Sequence, residues 1–444
     1  MSARADNYWD GSKKPRKVSP RLDGDASVDV AIIGAGYTGL STAYHLKAAE
    51  PGLDVAVLEG NTVGFGASGR NAGFVMTLFG ASLGLMKTLH GPAKVREAHA
   101  YMERSIAGLE AMIAEHRLDC DFERGGFLKV ATSPRYAKRI RDEIETLEAI
   151  GIHGHRWLER DELSSRVRSP TYIGALLEPG CGLINPRKWV DALAGLALGA
   201  GARLYENSRV DEVRRAGGKF LLSSNGATLT ADKVVFASNG YTHLIPGMRS
   251  KQLPACVFIV VTEPLSTKQL ASIGWAGREG IEDGRNFMHF YRLTPDNRLL
   301  MGGGPGFVPF GGRMHHDAHP AAWRHLEDFI GTTFPGLAGI KVTHRWGGAF
   351  SVTSDSTPNI GTLHGGAAFY SVGCTGHGVA MTHMNGRILR DLVLGRSSEL
   401  TDLWFVNRRS LPLPPEPFRS LGAKAVTAAM ALDDWWCDPK GNAP

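Results

Sequence analysis

The sequence predicts an α/β protein in which a doubly wound parallel unit is interleaved with a second, strand-rich α+β domain. A glycine-rich strand–turn–helix–strand unit occupies residues 28–59. Strand patterns that end in glycine return near 204–240 and again after 350, and short strands dominate the stretch between them. Because segments of one type enclose segments of the other, both domains are expected to be built from non-contiguous pieces of chain.

The first unit has the pattern of a dinucleotide site. The apolar run VDVAII predicts a buried strand and leads directly into Gly34, Gly36 and Gly39 in the spacing GxGxxG. A helical pattern follows, and a second apolar strand ends at Glu59, twenty residues after Gly39. In a Rossmann-like unit these glycines permit a tight turn, close approach of a pyrophosphate and close helix packing. Glu59 would accept hydrogen bonds from a ribose, and it disfavours NADP.

The remaining elements follow from periodicity. Helices are predicted at 92–116, 134–150, 185–202 and 376–393, with a last helix ending near Trp436. Strands are predicted at 126–132, 256–263, 286–293, 298–304 and 367–373, besides three within 202–240. In the strand 286–293, Phe287, His289 and Tyr291 alternate onto one face. Residues 1–27 are interpreted as an irregular arm.

These patterns divide the chain into two discontinuous domains. The dinucleotide-binding domain is assigned to 1–90, 170–252 and 345–444, where it includes the C-terminal helix. The second domain, with a mixed or antiparallel sheet, is assigned to 91–169 and 253–344.

Composition excludes several classes of protein. The 444 residues exceed one ordinary domain, and 43% hydrophobic residues can form sizeable cores. The net charge of +6 is not gathered on a visible basic face, and the run KKPRK (13–17) is interpreted as a solvated arm, so nucleic-acid binding is not expected. No apolar run approaches 18 residues and no signal-like segment is seen, which predicts a soluble cytoplasmic protein without membrane partners.

Cysteine and histidine patterns do not predict a metal site. The five cysteines form no CxxC pair, so neither a disulfide framework nor a zinc site is expected. They are Cys120, Cys181, Cys256, Cys374 and Cys437. Cys374 is interpreted as a small buried residue. His315, His316, Asp317 and His319 lack the spacing of ligands on a helix and are interpreted as a solvated loop.

Four segments resemble the D-amino-acid-oxidase-like FAD-dependent oxidoreductases, and most closely their gamma-glutamylputrescine oxidase branch. They are GASGRNAG (66–73), FYRLTPDNRLLMGGG (290–304), HRWGGAFSVTSDSTPNIG (344–361) and GCTGHGVAMT (373–382). The resemblance covers nearly the whole chain. It implies a Rossmann-like FAD-binding domain interleaved with an α+β substrate domain.

The resemblance also implies where FAD is held. The residues are Gly34, Gly36, Tyr37, Thr38, Gly39, Glu59, Gly60, Ser68, Gly69, Arg70, Asn71, Gly73, Val210, Ser238, Asn239, Gly240, Gly373, Thr375, Gly376, His377, Gly378 and Val379. Backbone N–H groups of 373–379, with a helix dipole, would stabilise negative charge at the flavin pyrimidine edge. The attachment residues of some relatives are missing, since Gly348 stands near the expected cysteine and no histidine occurs from Glu59 to Gly73. Non-covalent FAD is therefore expected.

The implied reaction is hydride transfer from the carbon next to an amine nitrogen to flavin N5. The imine would hydrolyse to an aldehyde or ketone, and electrons would pass to O2 or another acceptor. Sarcosine-type sites hold a carboxylate with a lysine after GHG; here Ala380 stands there. A substrate larger than glycine or sarcosine, such as gamma-glutamylputrescine, is therefore favoured. Amino-acid oxidation remains the alternative, with Arg345 as its candidate anchor.

Four residues are candidates for catalysis or substrate contact: His377, His289, Tyr291 and Arg345. His377 is favoured as a flavin contact over an acid–base catalyst. Phe287, His289 and Tyr291 are predicted to form one wall of the site, with Phe74 and Met76 at its entry and Trp346 nearby; core packing is the alternative for these aromatic residues. Two rival functions stay open, an NAD-linked dehydrogenase and a non-catalytic flavin-binding subunit.

Overall fold

A computed structural model describes residues 6–12, 16–314 and 318–439. His315, His316, Asp317 and most of the run KKPRK lie outside the described residues, so their interpretation stays a prediction. The described residues form two eight-stranded sheets and one two-stranded sheet, with helices between and around them. No helix in these three ranges is long and apolar enough to cross a membrane.

The helices predicted from the sequence lie close to the predicted positions. In chain order the described helices are α1 (Tyr37–Ala49), α2 (Leu83–His90), α3 (Pro92–Glu115), α4 (Pro134–Ala149), α5 (Arg160–Arg166), α6 (Pro186–Gly199), α7 (Thr267–Ile273), α8 (Pro320–Thr333), α9 (Gly378–Leu394) and α10 (Phe418–Cys437). Four of them, α2, α5, α7 and α8, were not predicted. Proline opens α3, α4, α6 and α8, where its fixed φ suits the first helical turn. Ser133 and Asn185 accept backbone N–H groups at the starts of α4 and α6.

The strands are more numerous than the sequence patterns indicate, and the strand predicted at 256–263 is longer than expected. They are β1 (Ala26–Ile33), β2 (Val55–Leu58), β3 (Phe74–Val75), β4 (Phe127–Ala131), β5 (Arg156–Glu159), β6 (Gly174–Glu178), β7 (Gly182–Leu183), β8 (Arg203–Tyr205), β9 (Glu212–Ala216), β10 (Lys219–Ser224), β11 (Ala227–Phe236), β12 (Leu253–Pro264), β13 (Gly280–Asp283), β14 (His289–Leu293), β15 (Arg298–Gly303), β16 (Val342–Val352), β17 (Asn359–Leu363) and β18 (Ala368–Val372). The strand predicted at 286–293 begins only at His289. The reason is that the backbone N–H groups of Asn286 and Phe287 donate to the Asp434 carboxylate instead of a neighbouring strand.

The first sheet is the doubly wound unit. Its order is β17-β18-β11-β1-β2-β8, and β10 and β9 extend it from β11. All pairs from β18 to β8 are parallel. Along β1, the side chains of Val30 and Ile32 pack into one hydrophobic core, and those of Ala31 and Ile33 pack into a second core on the opposite face of the sheet. Both faces of the sheet are therefore covered, which explains the continuous apolar run in the sequence.

The second sheet is mixed, as predicted. Its order is β16-β12-β15-β14-β13-β4-β6-β5, and its one parallel pair joins β13 to β4. One face carries Leu128, Ile281 and Tyr291 into a core shared with Leu326 of α8 and Phe334. The opposite face is turned toward the first sheet and forms the floor of a cavity.

Several elements pair across the predicted domain boundaries. Strand β6 belongs to the second sheet, although 170–252 is assigned to the first domain. Strand β16 pairs with β12 from Val342 to Val352, so the chain leaves the second sheet after Val352 and not at 345. Sheet membership depends on partners that are distant in sequence, and local periodicity carries no information about them. The domain division itself stays a prediction.

The N-terminal arm is irregular, as expected, but it is anchored. Residues Tyr8–Ser12 form a 3-10 helix, and Trp9 is completely buried. Its indole Nε1 donates to the Asn71 carbonyl at 2.9 Å. The arm thus packs against the loop that follows β2.

We expect protonation of His383 in α9 to contribute to acid unfolding. Its side chain is 1% exposed, and burial lowers its pKa to about 4. The unfolded chain takes up this proton near pH 6.5, so the contribution to stability is lost as pH falls from about 6.5 to about 4. His383→Asn preserves a donor for the Ala380 carbonyl, which the His383 ring contacts at 2.6 Å. In urea titrations, the loss of unfolding free energy between pH 7.5 and pH 5 should be about 2 kcal/mol smaller in the variant. An equal loss in both proteins would contradict this.

Candidate active site

A large cavity lies between the carboxyl ends of the parallel strands and the open face of the second sheet. Its volume is about 2540 Å³. Pockets for drug-sized ligands measure roughly 300–1,000 Å³, so this cavity has room for a dinucleotide and a second ligand. Except for Gly39, Gly69 and Gly373, every residue predicted to hold the cofactor lines it.

The three glycines after β1 have the geometry that a dinucleotide turn requires. Gly34 has φ +108°, and a Cβ there would lie 2.9 Å from the Ala237 carbonyl oxygen. A Cβ on Gly39 would lie 1.9 Å from the Gly34 carbonyl oxygen, so α1 could not pack on β1. A Cβ on Gly36 would lie 2.9 Å from Ser68 Oγ. Helix α1 begins here without a side-chain cap at Gly36, which directs its N-terminal N–H groups toward an anion.

Glu59 lies beside this turn. It follows β2, and its carboxylate accepts the Ala35 N–H at 2.9 Å and the Asn61 N–H at 3.0 Å. Burial raises its pKa. The two backbone bonds hold the carboxylate at the edge of the glycine turn, which is the ribose position of a Rossmann-like site.

The loop 66–73 joins the glycine turn to the second sheet. Arg70 is buried, and its Nη1 donates to the Gly347 carbonyl at 3.0 Å. In return, Trp346 Nε1 donates to the Arg70 carbonyl at 2.8 Å. The Asn71 amide donates to the Tyr37 hydroxyl at 3.1 Å and accepts the Gly73 N–H at 2.8 Å. Arg70 and Asn71 therefore fix the loop as well as line the cavity.

Helix α9 points its N-terminus into the cavity. It begins at Gly378 without a side-chain cap, after positive φ angles at Gly373, Thr375 and Gly376. His377 is half-buried, and burial lowers its pKa to about 4, so the ring is neutral near pH 7. Within the described residues its Nδ1 has no hydrogen-bond partner. The helix end thus offers backbone N–H groups, the positive end of a dipole and a neutral imidazole ring.

These features define a class of protein: a flavin-dependent oxidoreductase, in which a Rossmann-like cofactor site opens onto a second sheet. The family model described as DAO, FAD dependent oxidoreductase, matches residues 29–392, and the chain belongs to this family. This confirms the predicted family and fold class.

Relatives cover nearly the whole chain. Gamma-glutamylputrescine oxidoreductase of Escherichia coli K12 is 32% identical over 430 residues, which are 95% of this chain and 97% of that protein. The Rhizobium meliloti protein described as "Probable oxidoreductase OrdL" is 30% identical over 89% of each chain. The crystal structure of glycine oxidase from Geobacillus kaustophilus has a TM-score of 0.74 at 23% identity, covering 87% of this chain and all of that one, and so shares the fold.

FAD is the cofactor of this family, and the residues present fit it. The glycine turn leaves space where a side chain would clash, Glu59 stands at the ribose position, and two uncapped helix N-termini face the cavity. These groups suit a ribose, a pyrophosphate and an electron-rich ring. The family match favours FAD over the NAD-linked alternative.

The predicted substrate wall needs correction, because His289 and Tyr291 face away from the cavity. Tyr291 is in the core of the second sheet, and its hydroxyl bonds to that of Tyr172 at 2.6 Å. His289 bonds to Asp283 at 2.9 Å and stacks on Phe329. Period-two alternation separates two faces of a strand but does not say which one a helix covers. Here α8 covers the predicted face.

The cavity wall is formed instead by the other face of β14. Phe290 lines the cavity, and its ring contacts Phe74 edge to face at a centroid distance of 6.0 Å. Phe287, which precedes the strand, and Met76 also line the cavity, as predicted.

Arg345 and Trp346 do not line the cavity either. Arg345 Nε donates to Glu327 at 2.6 Å on the outer side of β16. Trp346 is buried behind the cavity wall, where it donates to Arg70 and packs in one cluster with Ala72 and Ile259. Arg345 is therefore not placed to anchor a substrate carboxylate.

Sequence reasoning missed a group of charged residues on the cavity floor, chiefly Lys129, Glu143 and Glu282. One signal was present, since Lys129 shares a strand face with Phe127 by period two. Glu282 lies in a four-residue strand that no pattern indicated.

We expect Glu59→Ala to weaken FAD binding at least about tenfold. The carboxylate would accept charge-assisted hydrogen bonds from the ribose, each worth roughly 1.5–3 kcal/mol, and about 1.4 kcal/mol corresponds to tenfold. Titration of the apoprotein with FAD, followed by flavin fluorescence, measures the Kd. Asp232→Ala, which removes a surface carboxylate paired with Lys219, is the control and should bind FAD normally. An unchanged Kd in Glu59→Ala would mean that the ribose site is misassigned.

We also expect all FAD to be released by acid precipitation. Gly348, which stands near the position expected for an attachment cysteine, lines the cavity; burial raises the pKa of the Cys374 thiol, which also lines it, and keeps that thiol protonated and unreactive. The yellow colour should therefore pass entirely into the supernatant. Colour that stays with the protein pellet would indicate a covalent bond.

Proposed function

We propose that this protein oxidises the C–N bond of an extended amine, and that a gamma-glutamylputrescine-like compound is the favoured substrate. The observation that carries the proposal is the continuity of the cavity, which runs from the FAD-binding residues onto an apolar wall of the second sheet. The similarity to gamma-glutamylputrescine oxidoreductase over nearly the full length of both chains supports it.

FAD held by these residues would supply a hydride acceptor for the carbon next to the amine nitrogen. Water would then convert the imine to an aldehyde or ketone with release of ammonia or an amine, and the two electrons would pass to O2 or to another acceptor. The chemistry requires the substrate carbon to be held against the flavin and water to be kept away until the hydride has moved.

The wall is suited to an alkyl chain. Phe74 follows the cofactor loop directly, and its ring contacts those of Phe290 and Phe127 edge to face. Ile259 of β12 continues this surface. Each methylene buried there stabilises the complex by about 0.8 kcal/mol and displaces water from the reacting carbon. The wall thus supplies binding and desolvation without a charged group.

The flavin side of the site needs no strong acid or base from the protein. We place His377, which lines the cavity, as a packing contact at the flavin pyrimidine edge, where burial lowers its pKa to about 4 and keeps the ring neutral. The N-terminus of α9 places the positive end of its dipole at the same edge, where it favours negative charge. Because the flavin takes the hydride, these groups position and polarise but do not break the bond.

A small amino acid is the alternative substrate, and two observations make it less favoured. Ala380 is buried at the position where sarcosine-type sites place a lysine. Arg345, the other candidate anchor, is paired with Glu327 outside the cavity. A substrate carboxylate is held best by a charge-assisted pair, and neither position supplies one.

We expect extended amines to reduce the flavin much more efficiently than small amino acids. In anaerobic mixing, gamma-glutamylputrescine should bleach the flavin with a kcat/KM at least about tenfold above those of sarcosine, glycine and D-alanine, since a few buried methylenes are worth more than 1.4 kcal/mol. A small amino acid with the higher kcat/KM would favour the alternative. Absence of bleaching with every amine would favour a non-catalytic flavin-binding subunit.

A further inference from the structure

The cavity floor contains a charged recess next to the aromatic wall. Cross-strand register places one row of residues across this face of the second sheet: Ile259, Gly302, Phe290, Glu282, Lys129 and Leu176. Neighbouring strands lie about 4.8 Å apart, so Glu282 is the first polar side chain beyond Phe290. Its strand neighbour Ile281 points to the opposite core, which confirms that Glu282 faces the cavity.

The Glu282 carboxylate has neither a hydrogen-bond partner nor an ion-pair partner among the described residues. Its side chain is buried, with 6% exposure. Within the described residues its carboxylate makes no hydrogen bond and no ion pair within 4 Å. A buried carboxylate without a partner is costly, and in proteins such groups are usually paired or bind a ligand.

The cationic side chains around Glu282 are already paired with other carboxylates, so the Glu282 carboxylate has no counter-charge of its own among the described residues. The Lys129 ammonium lies 2.6 Å from the Glu143 carboxylate of α4, so it already has an ion-pair partner. The Asp283 carboxylate is bound to Arg285 at 2.6 Å and to His289. Burial is the main cause that raises the pKa of Glu282 to about 7; Lys129 opposes it, and Asp283 and Glu143 contribute in the same direction as burial. A ligand that supplies a cation would restore the balance and keep the carboxylate ionised.

We propose that this recess binds a second, cationic nitrogen of the substrate, so that Glu282 selects amines that carry an ammonium group at the end remote from the oxidised carbon. The inference rests on the proposed amine oxidation and deepens it by assigning the residue that recognises the far end. An alkyl chain that lies along Phe74 and Phe290 reaches the recess directly, because Phe290 is the cross-strand neighbour of Glu282.

The distal ammonium can have two chemical sources. It is the free end of an unmodified diamine, or the α-ammonium of an aminoacyl group attached to one. Both sources share the group that Glu282 would bind, and the experiment below separates them.

The test compares three amines with two variants of the FAD-loaded enzyme. The amines are 1,4-diaminobutane, its gamma-glutamyl derivative and butylamine, which has the same four-carbon chain without a distal charge. Glu282→Gln removes the charge and keeps the shape. Asp142→Asn is the matched control, since Asp142 lines the same cavity but is exposed and paired with Lys138. Anaerobic stopped-flow measures the limiting rate of flavin reduction and the Kd of each amine.

In Glu282→Gln we expect the Kd of at least one amine with a distal ammonium to rise about 10- to 100-fold, the range of a charge-assisted hydrogen bond. The limiting rate should stay within about threefold, because the contact is remote from the reacting carbon. Butylamine should bind the variant and the wild type alike, and Asp142→Asn should change no Kd more than about twofold. If the affinity falls only for the diamine, or only for the gamma-glutamyl derivative, that amine is the source of the ammonium group.

Two outcomes would overturn this inference without affecting the proposed function. The first is that the Kd values stay unchanged in Glu282→Gln, as expected if Glu282 is a protonated structural residue. The second is that all three amines lose affinity equally. If no amine bleaches the wild-type flavin, the proposed function itself fails. If Glu282→Gln does not retain FAD, the test is made by comparing the affinities of the wild-type enzyme for the three amines. Butylamine must then bind at least about tenfold more weakly than the better of the two charged amines, and equal affinities would reject the proposal.

Discussion

The active site depends on a reciprocal pair of buried hydrogen bonds between the cofactor loop and the second sheet. Arg70 donates to the Gly347 carbonyl, and Trp346 donates to the Arg70 carbonyl. Trp9 adds a third bond, to the Asn71 carbonyl. The first two bonds are buried and the third is partly buried, so separating the loop from β16 would leave polar atoms unsatisfied away from water. The loop is therefore held in one position, and the residues predicted to bind FAD keep a fixed relation to the aromatic wall of the cavity.

Two kinds of surface meet in the resulting cavity. The end formed by the first sheet consists of glycines, backbone N–H groups and helix N-termini, which suit a phosphate-bearing cofactor without demanding particular side chains. The floor formed by the second sheet is aromatic near the cofactor loop and charged beyond it. Phe290 and Glu282 are neighbours on adjacent strands, so this change from apolar to charged occurs within one strand spacing. Such a surface matches a molecule with an alkyl middle and a polar far end.

Local patterns predicted the cofactor side of this arrangement well. The turn from β1 to α1 requires glycine at positions 34 and 39, because a Cβ there would clash with backbone atoms. This requirement involves only a few residues that are close in sequence, so the sequence pattern shows it directly. The helices predicted at 134–150 and 185–202 also begin within a residue of their observed starts. The substrate side was predicted less well. The alternation of His289, Phe290 and Tyr291 was visible, but the face that α8 covers was not, and the wall was assigned to the wrong side.

By itself, the sequence determined the dinucleotide unit, the interleaving of two kinds of domain and the family. Each of these depends on short-range spacing or on ordered motifs. Only the tertiary structure decided which face of β14 lines the cavity, that Arg345 lies outside it, and that Glu282, Lys129 and Glu143 lie together on its floor. The physical reason is the pairing of strands: β13 and β4 are parallel neighbours although some 150 residues separate them, and nothing local in either segment specifies that register.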